Sequence, residues 1–164
     1  MKQLLKMSKG NKKLKQTLIF DLPAGRTCPM ASECHSYAIM NNNGKLTVKD
    51  GDNNKFRCFA ASQEAQYPNV YKARKYNLDL ILESLKGEYG FYKTYELIND
   101  SIQKHKTRNI NKVRIHSSGD FFNGEYLRCW FAVARLNPLM KFYCYTKSLH
   151  LFGTNVSITQ KDPF

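Results

Sequence analysis

The sequence predicts an α/β fold, a single domain with an incomplete parallel sheet or partial barrel that contains a βαβ unit. Three observations lead there. "NKVRIHSSGDFF" reads as a strand running into a loop, "NGEYLRCWFAVARLNP" as an amphipathic helix, and "MKFYCYTKS" as a second strand; a crossover of that length places the two strands parallel and adjacent. "QTLIFDLPAG" reads as an earlier short strand ended by Pro23 and Gly25. A chain of 164 residues, 42% of them hydrophobic, is long enough to bury one core without disulfides.

Taken in order, residues 1–16 form a basic N-terminal arm and residues 17–164 the α/β domain with its cysteine-rich loop. The arm, "MKQLLKMSKGNKKLKQ", carries six lysines and no acid, so it reads either as a solvated, frayed segment or as a tail that contacts phosphates. After the first strand and the cysteine loop, Asn-Gly and Asp-Gly pairs bracket "KLTVK", one arm of a hairpin. From Ser62 to Leu85 apolar residues recur at helical spacing, with Pro68 placed to kink or divide the helix and Gly87 ending it. A second helix covers Tyr92 to Lys104. In the helix of the βαβ unit, Tyr126, Leu127, Trp130, Phe131 and Ala134 point inward.

The excess of 26 Lys and Arg over 13 Asp and Glu gives a net charge of +13, which favours polyanions such as nucleic acid as partners. A signal-peptide pattern and an apolar run long enough to span a membrane are both lacking, so a soluble, cytoplasmic protein is expected. P-loop, dinucleotide-binding and G-x-S-x-G motifs are absent. ATP hydrolysis, hydride transfer and serine hydrolysis therefore have no motif behind them.

Five cysteines in a reducing compartment point away from a disulfide framework. Cys28, Cys34 and Cys58 lie in or beside loops, which favours metal ligation over packing. Cys58 precedes a helix, where the dipole favours a thiolate. The C-x5-C spacing departs from the short knuckle of structural zinc. Three cysteines without an obvious fourth suit a [4Fe-4S] cluster with one open iron, or a tetrahedral zinc completed by His35, His116 or a small ligand. Cys129 and Cys144 read as packing residues.

Ligands of parallel sheets gather at the carboxyl ends of strands, here "HSSGD" and "YTKS". His116, Ser118 and Gly119 on the first loop, and Thr146 and Ser148 on the second, are candidate cofactor-binding residues. Asp120 is a candidate catalytic base or ligand for a cofactor hydroxyl or amine, its alternative being the N-cap of the next helix. Lys147 is the candidate that orients an anionic group.

The blocks "LPAGRTCPMASEC", "FRCFAASQEAQYP", "RIHSSGDFFNGEYLRCW" and "FYCYTKSL" resemble the bacteriophage gene product 88 family. That resemblance implies a phage or prophage origin and a shared set comprising the three loop cysteines and both strand-end loops, without assigning a reaction. Members continue further after "YTKS", which raises the expectation of a shortened sheet or a missing substrate-binding end here. A weaker similarity, to radical S-adenosylmethionine enzymes, implies a three-cysteine cluster above a partial barrel and S-adenosylmethionine as cofactor; the spacing of Cys58 departs from their C-x3-C-x2-C pattern. The expected function is a phage protein with a three-cysteine iron-sulfur centre and radical or redox chemistry. The alternative is a zinc-containing, basic protein that binds nucleic acid or a host protein without catalysis.

Overall fold

Three parallel strands and one antiparallel edge strand make the main sheet of the computed structural model, which describes residues 2–10 and 12–153. The elements run β1 (Met7–Lys9), β2 (Thr17–Phe20), β3 (Tyr37–Met40), β4 (Leu46–Lys49), α1 (Phe59–Gln66), α2 (Pro68–Ser84), α3 (Gly90–His105), β5 (Lys112–Ile115), α4 (Gly124–Leu136), β6 (Lys141–Cys144) and α5 (His150–Gly153). Sheet order is β1-β2-β5-β6, and β3 and β4 form a separate hairpin. The mixed α/β architecture and the parallel β5–α4–β6 unit are as the sequence predicts, with Lys112 opposite Lys141 and Ile115 opposite Cys144.

Pro68 divides the long helical stretch, sitting at the first position of α2, where a missing N–H costs nothing. Asn123 caps α4 by accepting the N–H of Tyr126 at 2.8 Å, so the cap alternative for Asp120 is set aside. The core joins Leu18, Phe20, Val113 and Ile115 of the sheet to Ile81 of α2, Ile98 and Ile102 of α3, and Tyr126, Leu127 and Trp130 of α4. Cys129 is buried there, its thiol donating to the Phe91 carbonyl.

The basic arm departs from the frayed reading, because Met7–Lys9 pair with β2 in antiparallel register. Leu5 is buried and its N–H donates to Ser101 Oγ, while Asn77 clasps both the N–H and the carbonyl of Lys6. Lysine density suggested solvation, yet the lysine heads stay exposed while the backbone covers an edge of β2 that would otherwise lie open. The last part of the domain expected over 17–164, from residue 154 onward, lies outside the described residues, and so does the question of a shortened sheet.

Candidate functional site

At the carboxyl ends of β2, β5 and β6 the chain forms three loops that interlock. Asp21, just past β2, accepts the N–H groups of Ser117 and Ser118 at 2.6 and 3.0 Å, and the Ser117 hydroxyl at 2.8 Å. Leu22 N–H donates to the Ser118 carbonyl at 3.0 Å. His116 opens this loop with φ +70°, a left-handed conformation held against its usual cost by these bonds. Gly119 (φ +82°) lets the cysteine loop lie flush: a Cβ there would come within 2.7 Å of both Leu22 Cβ and Thr27 Oγ1.

Asp120 is 5% exposed and joins the loop after β5 to the loop after β6. Its carboxylate accepts Phe121 N–H at 2.7 Å, Thr146 Oγ1–H at 2.5 Å and Lys147 N–H at 2.9 Å. Ser148 is buried, its hydroxyl donating to the Phe121 carbonyl and its N–H to Thr146 Oγ1. These bonds fix the backbone from which the Lys147 side chain reaches Cys34, with Nζ 3.8 Å from Sγ and 5.6 Å from the centre of the Phe56 ring.

The three loop cysteines are free and partly buried. Tight turns carry the chain between the first two: Ala31 N–H donates to the Cys28 carbonyl and Cys34 N–H to the Ala31 carbonyl. Cys58 is the N-cap residue of α1, its N–H donating to Ser36 Oγ. Ser36 also donates to Asp50 and accepts from Asn54, tying the cysteine loop to the turn after the hairpin.

Burial pushes the Cys28 thiol up to about 11, with smaller upward contributions from the charges of Asp120 and Cys58. Burial likewise raises Cys34, on which Cys58 acts by charge and by a side-chain hydrogen bond while the Lys147 charge pulls the other way. Cys58 is near enough to both other thiols to act on them by charge, as Asp120 acts on Cys28 and Lys147 on Cys34. Among the described residues, however, no group of three or more His, Cys, Asp or Glu side chains is arranged round a single metal ion.

Not every predicted site residue reaches these cysteines. The His116 ring is 3% exposed, packed by Phe20, Phe121 and Tyr126, with Nε2 2.8 Å from the Tyr126 hydroxyl. Burial depresses it to about 3, so the imidazole is neutral. Ser118 is buried as well, donating to the Leu22 carbonyl and lying 3.2 Å from Glu64 Oε1. Gly119 serves close approach. His35 turns its Nε2 to the Cys28 carbonyl.

Sequence reasoning missed Glu64 and Arg74. They form a buried ion pair at 3.0 Å that braces the cysteine loop through Ala24 N–H, and Arg74 extends to Asp21 and Gln63. Single charges within helical patterns read as solvent-facing; only three-dimensional placement reveals these as buried.

Fold and site together define an α/β protein with three free loop cysteines and, in the loop after β6, a lysine beside one of them. A family model described as Gene product 88 matches residues 2–161, so the chain belongs to the Gene product 88 family, the bacteriophage family its four blocks resemble. No curated protein and no solved structure matches it, and the comparisons give no support to the likeness to radical S-adenosylmethionine enzymes.

Proposed function

We propose that Cys28, Cys34 and Cys58 hold an iron-sulfur cluster, and that this phage protein uses it for a redox step in the host cytoplasm. The observation that supports the reading is the nearness of the groups: Lys147 Nζ lies 3.8 Å from Cys34 Sγ, and Cys58 is near enough to act by charge on both Cys28 and Cys34. A lone zinc at about 2.3 Å from each sulfur would draw the thiolates tightly round one point. A three-thiolate [4Fe-4S] centre would instead spread the sulfurs over several ångströms.

When bound, a three-thiolate cluster supplies electron transfer and one open iron for a small ligand. The chain's own residues do the rest. Lys147 places a positive charge beside the Cys34 sulfur, offsetting thiolate charge and offering an ammonium to an anionic ligand. Asp120 is a positioning residue, its carboxylate holding the Lys147 backbone. Glu64 braces the cysteine loop by accepting the Ala24 N–H.

The test is anaerobic purification followed by iron and sulfide analysis and a visible spectrum. A brown protein with iron and sulfide in equal amounts, lost in C28S, C34S and C58S variants that still fold, supports the proposal. A colourless, zinc-loaded protein overturns it in favour of a structural metal in a non-catalytic binding protein.

A further inference from the structure

Acidic residues are absent from residues 1–20, 101–119 and 126–161, and all four strands of the main sheet come from those stretches. Between β1 and the start of α2 lies a groove of about 520 Å3 whose rim carries Lys6 and Lys9. Both are exposed, and neither has an acidic partner among the described residues. The floor holds the buried Arg74, 5% exposed, whose Nε has no hydrogen-bond partner, with Asn69 of the first turn of α2 beside it. Asp21 also lines the groove, but its oxygens are taken by Ser117, Ser118 and Arg74.

Leu14 belongs both to this groove and to a second depression of about 510 Å3 at the amino ends of the strands, lined by Lys12, Lys13, Lys15, Lys112 and Tyr143. The two share Leu14 and both are bordered by lysines, so together they offer one basic path. A flexible strand can follow such lysines from one depression to the next, and Tyr143 offers a ring among them for a base to stack on.

We propose that this path binds the sugar-phosphate backbone of a single-stranded nucleic acid, with Lys6, Lys9, Lys15 and Lys112 contacting phosphates. The path does not depend on the metal centre, since none of these lysines contacts a cysteine of the strand-end site.

The test uses the full-length protein and fluorescence anisotropy with a labelled 20-mer of thymidine, titrated across a salt series, with and without bound metal. Each lysine that contacts a phosphate contributes about 0.7 to the slope of log affinity against log salt. K6Q/K9Q and K15Q/K112Q should each flatten the slope by about 1.4. K45Q/K49Q removes the same charge from the hairpin and should leave it unchanged; circular dichroism confirms folding of all three.

Equal flattening by all three pairs would mean diffuse attraction and would overturn the site, as would salt-independent binding. Tighter binding of a 20-base-pair duplex would overturn the single-strand assignment. The same slopes with and without metal would support the independence of the two sites, whereas binding seen only in metal-loaded protein would overturn it.

Discussion

Gly119 and Gly44 both have positive φ, near +82° and +73°, yet they face different surroundings. A Cβ at Gly44 meets nothing within 4 Å, while one at Gly119 collides with Leu22 and Thr27, where the cysteine loop crosses the strand end. G44A should therefore cost only the left-handed penalty of about 1 kcal/mol. G119A should cost about 3 kcal/mol or more, since backbone strain and a clash add. Urea unfolding of the two variants measures the difference, and equal losses would show that the two loops are not in tight contact. His116 gives a prediction in pH. Its folded value, about 3, lies below the unfolded value near 6.5, so between those limits the unfolded chain binds the extra proton. The stability contribution is complete above pH 6.5 and is lost as pH falls towards 3, at up to about 1.4 kcal/mol per pH unit. H116N, whose side chain tolerates φ +70°, should lower stability at pH 7 but flatten the pH 4–6 limb of the stability curve. An unchanged slope would mean that the ring titrates normally and is not enclosed.

Among the elements, the parallel β5–α4–β6 unit was legible from the sequence because hydrophobic period decides it locally, whereas Pro68 marked where the long helical stretch would kink or divide without deciding between the two. Strand β3 was not legible, since "YAIM" is four residues without a turn signal of its own and gains its identity only by pairing with β4. Nor was β1, where a lysine-rich run hides a strand whose pairing is settled by the needs of the β2 edge. At the site, the cysteines and the "SSGD" and "YTKS" loops stood out as loop residues at strand ends. The inward turn of His116 and Ser118 did not, because it follows from the positive φ at residue 116 and the Asp21 bonds, which lie 96 residues apart in sequence. Asp120 links elements, and its loss should register at that scale. In D120A the N–H groups of Phe121 and Lys147 and the Thr146 hydroxyl lose their acceptor together, costing about 2–4 kcal/mol. D120N keeps a carbonyl acceptor and should recover part of that. If Asp120 positions Lys147, D120A should also lower the iron retained per chain after reconstitution while K147M at the same loading leaves stability within about 0.5 kcal/mol of the parent. Full iron retention in D120A would remove the positioning role.

Across the whole molecule, charge is segregated rather than merely abundant. The sheet comes from stretches without acids, whereas the ion pairs Lys75–Asp79, Lys86–Glu83 and Arg57–Asp50 tie lysine and arginine to carboxylates on α2 and the turn after the hairpin. Lys112 lies directly opposite Lys141 across β5 and β6, an arrangement in which like charges repel. Lys12, Lys13 and Lys15 crowd the same end of the sheet. Folding therefore concentrates positive charge that the unfolded chain spreads out, and the cost is largest where screening is weakest. Raising sodium chloride from 20 to 300 mM should increase the thermal midpoint by several degrees, since about 1 kcal/mol corresponds to roughly 2–4 °C in a chain of this size. K112Q should raise the midpoint at low salt and shrink the gain from added salt, because it removes one of the two facing lysines without touching the core. A midpoint that falls with salt would mean that the surface ion pairs outweigh the repulsion at the sheet's amino ends, and the charge segregation would then carry no energetic penalty for a polyanion to relieve.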